Sequence, residues 1–156
     1  MASPLEEERM YNDVLVPTDG SQGAKAALEH GIEISSRWDA TLHTLYVVDT
    51  RLARSGPLLE TLRDEGRGAV RDVEVAGTQA GLTVVTEIVE GNPHEEILDY
   101  LTEHGIDMVI MGTHGRTGLD RVVVGSVTER VVRRSPVPVL TVRGEEQNRK
   151  NEFPDQ

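Results

Sequence analysis

Apolar residues recur along the chain in two alternating rhythms: short continuous runs, and longer stretches where they return every third or fourth position. Val14-Leu15-Val16, ended by Pro17, reads as a buried strand. After the turn residues Asp19-Gly20-Ser21, positions Ala24, Ala27, Leu28, Gly31, Ile32 and Ser35 share one helical face. Leu42 to Val48 reads as a second strand with Asp49 at its carboxyl end, and Thr50 to Pro57 as a loop. From Leu58 to Ala80 a second helix buries Leu62, Gly66, Ala69, Val73, Ala76 and Ala80; Gly66, Gly68 and Gly77 weaken it, and Gly81 is placed to cap it. Leu82 to Val89 alternates as a third strand ended by Gly91.

Asn92-Pro93-His94-Glu95 signals a helix start, with Asn92 as N-cap, Pro93 in the first position and an acid in the first turn. Ile97, Leu98 and Leu101 form its buried face and Gly105 its stop. Val109-Ile110-Met111 makes a fourth strand ending at Gly112. Gly115, Gly118 and Gly125 punctuate the loop that follows, closed by Ser126. Val127, Val131 and Val132 then recur at helical spacing, and Arg130, Arg133 and Arg134 load the last turns. Pro136 and Pro138 stop this helix before a fifth strand within Val137 to Arg143. Strands alternating with helices predict an α/β fold, a parallel sheet with helices on both faces. Such a sheet takes its ligand beyond the carboxyl ends of the strands, where strand order reverses.

The glycine loop is the candidate chemistry. Glycines lack Cβ and reach positive φ, so successive N–H groups converge and a phosphate approaches the main chain closely. The helix start near Gly125 adds unpaired N–H groups and the positive end of the dipole. Ser126 adds a hydroxyl, although Ser126-x-x-Glu129 also fits a capping box. The spacing is Gly112, two residues, Gly115, nine residues, Gly125, Ser126. That is neither the Walker loop nor the dinucleotide fingerprint. It resembles the G-x2-G-x9-G-[ST] signature of the universal stress protein family, in particular its ATP-binding branch, and the likeness extends over roughly residues 10 to 143.

The resemblance implies a five-stranded parallel sheet of order 3-2-1-4-5, adenine nucleotide alpha hydrolase-like and Rossmann-like, in one domain over 10–143. Residues 1–9 and 144–156 are expected to be flexible ends. It implies ATP, or ADP or AMP, as ligand, with Mg2+ carried by the nucleotide. Pro17, Thr18 and Asp19 match the turn beneath the ribose and phosphates, Val47 a position whose backbone meets adenine, and Met111 and Gly112 the strand end by the ribose. Gly115, Arg116, Gly125, Ser126 and Val127 match the phosphate cradle; Gly118 falls where other members carry a different residue. It also implies a homodimer pairing through the fifth strand, with Pro138 alternatively blunting that edge against pairing.

Beside the resemblance, several side chains keep two readings. Arg116 either pairs with the nucleotide or faces solvent, and Arg121 is less constrained. Asp19 either holds the divalent ion or accepts from a ribose hydroxyl or the turn backbone, or it caps the next helix. His114 lies in the loop, whereas His30, His43, His94 and His104 read as structural. No Ser-His-Asp arrangement and no paired carboxylates stand out, so binding is better supported than catalysis.

The chain has 156 residues, suiting one domain that buries roughly two-thirds of its unfolded surface. It lacks cysteine, which removes disulfides and thiolate metal sites. No apolar run approaches the roughly 20 residues of a membrane span, and the acidic start is unlike a signal peptide, so a cytoplasmic protein is expected. The net charge of −11, from 27 acidic and 16 basic residues, disfavours nucleic acid as a partner. The simple reading of this charge is a solvated acidic surface. The sharper one, compatible with it, is a halophile's adaptation, because lysine-poor acidic surfaces stay hydrated and screened in high salt. The functional expectation is a nucleotide-dependent regulatory module of the stress response. The alternatives are a slow ATPase or other nucleotide-dependent enzyme, and a nucleotide-free interaction domain.

Overall fold

In the computed structural model, which describes residues 9–113 and 124–144, every apolar run becomes a strand and every periodic stretch a helix. The order is β1 (Asp13–Pro17), α1 (Gln22–Trp38), β2 (Thr41–Asp49), α2 (Gly56–Gln79), β3 (Val84–Gly91), α3 (Pro93–Glu103), β4 (Met108–Gly112), α4 (Ser126–Arg134) and β5 (Val139–Val142). The strands form one sheet in the order β3-β2-β1-β4-β5, every pair parallel. Strand alternation divides the core. Val14, Val16, Leu42 and Ile110 pack with Ala26, Ala27 and Val73 under α1 and α2. Leu15, Leu45, Val109 and Met111 pack with Ile97, Leu101 and Val131 under α3 and α4. Tyr46 and Val48 extend the first face against Leu59, Leu62 and Val70 of α2.

The helical glycines have a packing role that periodicity does not announce. Gly66 and Gly77 weaken α2 intrinsically, yet a Cβ on Gly66 would lie 2.7 Å from the Tyr46 ring, and one on Gly77 would lie 2.5 Å from Val84 Cγ2. In α1 a Cβ on Gly31 would lie 2.5 Å from Val16 Cγ2. These glycines let α1 and α2 sit close on the sheet. The buried face of α2 accordingly runs through Leu59, Leu62, Gly66, Val70, Val73 and Gly77, while the expected Ala80 is exposed.

One strand boundary and one helical face depart from the sequence expectation. The third strand starts at Val84 and runs through Gly91, because it pairs along β2 as far as Asp49; Leu82 still packs on the core from outside the strand. Gly81 does end α2: its N–H donates to Thr78 O and that of Leu82 to Gly77 O. In α4, Thr128 and Val131 are buried while Val132 is 51% exposed, so the inward stripe runs 128–131 rather than through Val132.

The amino ends of the strands are tied by polar side chains. Asp107 Oδ2 accepts from the backbone N–H groups of Asn12 and Asp13. Buried His43 bridges Tyr100 Oη (2.8 Å) and Asp13 Oδ1 (2.9 Å), and the His104 ring stacks on Tyr100. Burial, with Glu87 and Asp13 nearby, pushes the Tyr100 hydroxyl up to about 12, so it stays neutral. Arg9, in the expected loose start, donates to Trp38 O and Asp39 O. Apart from it and Gly144, the expected flexible ends lie outside the described residues.

Gly31→Ala and Gly68→Ala separate packing from propensity. Overpacking costs about 1–3 kcal/mol, more than the roughly 1 kcal/mol that alanine gains in a helix. Urea unfolding should therefore show Gly31→Ala destabilised. Gly68, with open space around it, should gain up to about 1 kcal/mol on the same substitution.

Candidate functional site

The strand order reverses between β1 and β4, and there the carboxyl ends of β1, β2 and β4 open into a crevice of about 380 Å3. Its size suits a small organic ligand. The β1 end contributes Pro17, Thr18 and Asp19. Thr18 N–H donates to Leu45 O, and Gly20 turns the chain at φ 78, which spares it the strain a side chain would bring. Asp19 Oδ1 accepts from Ser21 N–H at 3.0 Å, while Ser21, not Asp19, is the N-cap of α1, its Oγ accepting from Ala24 N–H. The helix-cap reading of Asp19 is thus replaced by a turn that sets its carboxylate at the crevice.

The β4 end is shaped by two contacts. A Cβ on Gly112 would lie 2.6 Å from the backbone C and O of Gly23 in α1. Gly112 is therefore required by backbone packing at the crevice floor, a reason separate from any phosphate. Thr128 Oγ1 donates to Gly112 O at 2.9 Å, and Gly125 N–H donates to Thr113 O at 2.7 Å. The ends of the glycine loop are pinned together, and the Gly125 N–H is engaged within the protein. The backbone N–H groups of Ser126, Val127 and Thr128, the first turn of α4, are those that an N-terminal helix end leaves to a ligand.

Gly125 is the N-cap of α4, so Ser126 is the first helical residue, and the capping box that its spacing to Glu129 also allowed, which needs Ser126 as N-cap, does not form. Glu129 instead pairs with Arg133 one turn on. Ser126 lines the crevice with Val127. Asn92 is the N-cap of α3 as expected, without a side-chain cap bond.

Of the residues singled out in the sequence, Pro17, Thr18, Asp19, Val47, Met111, Gly112, Gly125, Ser126 and Val127 all line this crevice. His114, Gly115, Arg116, Gly118 and Arg121 lie outside the described residues. The structure adds Asp49, Arg51 and Leu52 on the β2 side and Pro93 and Ile97 on α3. Arg51 and Leu52 belong to a segment that reads only as loop; the available signal was Asp49 two residues before an arginine at a strand end. Arg51 donates from its backbone N–H and Nε to Asp49 Oδ1 (2.9 and 3.0 Å) and from Nη2 to Oδ2 (2.8 Å). These bonds hold the Asp49 carboxyl below its ordinary 3.8 against the opposing effect of burial, and raise Arg51 in turn.

The universal stress protein family model matches residues 10–143. The chain belongs to the universal stress protein family. Universal stress protein MJ0531 of Methanocaldococcus jannaschii is 36% identical to it over 143 residues, covering 87% of this chain and 84% of the relative. The solved structure of MJ0577 from the same organism superposes with a TM-score of 0.79 at 35% identity, over 86% of this chain and 96% of its own. A universal stress protein solved in complex with cAMP superposes at 0.68 with 26% identity, over 86% of this chain and 99% of its own. The five-stranded 3-2-1-4-5 sheet is the fold of this universal stress protein family, as expected.

The Asp49–Arg51 pair predicts a pH dependence. A lowered folded-state pKa contributes stability that is fully present above the ordinary carboxylate value and is lost as pH falls through the folded value. Arg51 is half exposed, so the contribution is small, about 0.5–1 kcal/mol. Arg51→Gln should lower unfolding stability by that amount at pH 7, with the difference from wild type shrinking as the solution is acidified below pH 3.8. A difference that persists undiminished in acid would contradict this.

Proposed function

We propose that this universal stress protein binds ATP, with ADP and AMP as related ligands, and acts as a nucleotide-dependent regulatory module of the stress response. The observation that carries the reading is the crevice at the switch point. It sets the first turn of α4 beside the ends of β1 and β4, and the apolar side chains of β2 and α3 at its other side. One end suits an anion and the other a flat apolar ring, which together describe a nucleotide. The cAMP complex of a 26% identical family member supports an adenine nucleotide as the class.

Mg2+ enters with the nucleotide in this reading. Among the described residues no group of three or more His, Cys, Asp or Glu could hold a metal. Mg2+ bound to phosphates and water needs only one or two carboxylates, and Asp19 at the crevice fits that role. The ion would offset the phosphate charge. Binding rather than turnover is the reading because the two crevice carboxylates, Asp19 and Asp49, are each set by backbone or side-chain donors.

The homodimer through Val137 to Arg143 belongs to the same proposal. Among the described residues β5 pairs only with β4, at the edge of the sheet, with Val139 and Leu140 half-buried. Among the described residues no helix is long and apolar enough to cross a membrane. We place the protein in the cytoplasm, with its acidic, lysine-poor surface adapted to high salt.

Calorimetric titration with ATP and Mg2+ tests the reading, and should give saturable binding near one nucleotide per chain. Gly125→Val, which puts a branched side chain beside Ser126 at the crevice, should weaken that binding at least about tenfold in a folded protein, about 1.4 kcal/mol. No binding by wild type would contradict the function. Unchanged affinity in folded Gly125→Val would contradict the placement of the phosphates.

A further inference from the structure

The sheet has a second edge, at β3, which among the described residues pairs only with β2. Val84–Gly91 follows β2 residue for residue from Leu42 to Asp49, without a bulge. Leu42 N–H donates to Thr83 O and Thr50 N–H to Gly91 O, so in the parallel ladder between them the backbone groups of Val85, Glu87 and Val89 turn to β2. Those of Val84, Thr86, Ile88 and Glu90 point the other way, and no backbone bond among the described residues engages them. β5, by contrast, has only Val139–Val142 and begins behind Pro138. Proline and bulges are common means of blunting an edge, and β3 has neither; its guard is charge.

On the α3 side of this edge the side chains are acidic. Glu87 projects beside His104 at 3.7 Å. The Glu96 carboxylate lies against the end of the strand, where a Cβ on Gly91 would come 2.6 Å from its Oε1. Asp99 and Glu103 continue the stripe along α3, a helix without lysine or arginine. Burial, then the charges of Asp99, Glu103, Glu95 and Glu87, hold the Glu96 carboxyl above its ordinary 4.5. Like charges at such helical spacings cost stability, so the fold alone gives no reason for the stripe. On the α2 side Val84 packs at Gly77 and Ile88 beside Tyr46, and Glu90 is already paired with Arg63. The edge therefore offers free backbone groups, an apolar row on one face and uncompensated negative charge on the other. None of these residues lines the crevice.

We propose that the β3 edge is a docking site for an extended segment of another protein, which adds a strand to the sheet and carries lysine or arginine at alternate positions facing α3. Residues two apart share a face of a strand, so alternate cations meet Glu87, Glu96, Asp99 and Glu103, while the residues between them pack beside Val84 and Ile88. A second copy of this chain does not suit the edge, because a two-fold pairing sets the same acids of both copies against each other. An acidic segment is repelled for the same reason.

The probe is a short synthetic peptide of alternating lysine and valine, blocked at both ends, with a glutamate–valine peptide as its counterpart. NMR of the full chain follows binding and amide hydrogen exchange. In the free protein the amides of Val84, Thr86, Ile88 and Glu90 should exchange fast and those of Val85, Glu87 and Val89 slowly. The lysine peptide should bind, slow exchange at the first set, and lose affinity as salt rises. Glu87→Gln combined with Glu103→Gln should weaken it at least about fivefold. Thr86→Pro, which removes one outward N–H where an edge strand accommodates proline, should weaken it too. Glu129→Gln, on α4, should leave it unchanged. No binding of the lysine peptide, equal binding of the glutamate peptide, affinity unmoved by the double substitution, or binding without slowed exchange at β3 would overturn the proposal. Slow exchange at Val84, Thr86, Ile88 and Glu90 before any peptide is added would overturn it as well. The cover would then be a second copy if dilution releases it, or residues 145–156 if their deletion does.

Discussion

The end of β4 lies on the first turn of α1 with no side chain between them, and the arrangement of the crevice depends on that contact. A methyl group on Gly112 would meet the Gly23 backbone at 2.6 Å, so the two elements approach this closely only because position 112 carries no side chain. The approach brings the start of α1, with Asp19 and Ser21, alongside the end of β4. Thr128 Oγ1 on Gly112 O and Gly125 N–H on Thr113 O then tie the start of α4 to the same strand end. Three element ends are held at one point by backbone groups and a buried hydroxyl. A ligand entering there meets a preorganised helix terminus, so little ordering is charged against its binding.

Function and stability occupy opposite ends of this sheet. At the amino ends, Asp107 bonds the β1 backbone, and buried His43 and Tyr100 with part-buried Asp13 link β1, β2 and α3. Each member of that chain has a partner, as buried polar groups require. At the carboxyl ends the polar groups instead line open space. Asp19 and Asp49 would repel an anionic ligand if left bare; Arg51 neutralises one, and in the proposed function an ion carried by the ligand serves the other.

The parallel sheet and the crevice were legible because they depend on coarse signals, while the 3-2-1-4-5 order was implied by the family resemblance. Four short apolar runs, each closed by Pro, Asp or Gly, mark strands, and the helical stretches between them force parallel crossovers. The G-x2-G-x9-G-S spacing points to the loop at the switch point. What local pattern misses is tertiary. Gly66 and Gly77 read as weaknesses in α2, but they are where Tyr46 and Val84 press against it. Ser126 reads as a cap through its spacing to Glu129, yet with Gly125 bonded to Thr113 the helix starts one residue earlier, and Glu129 turns to Arg133. Arg51 carried only the weak signal of an aspartate two residues before it, because the turn that pairs them exists only once β2 has ended.

Amide chemical shifts in an isotope-labelled sample, followed as ATP and Mg2+ are added, most directly test whether the switch-point crevice is the nucleotide site. Perturbations should concentrate on Thr18, Asp19, Val47, Asp49, Gly112 and Ser126 to Thr128, the ends of β1, β2 and β4 and the start of α4. Asn12, His43 and Asp107 near the opposite end should stay still. Shifts confined to that opposite end, or none at saturating ATP, would contradict the account.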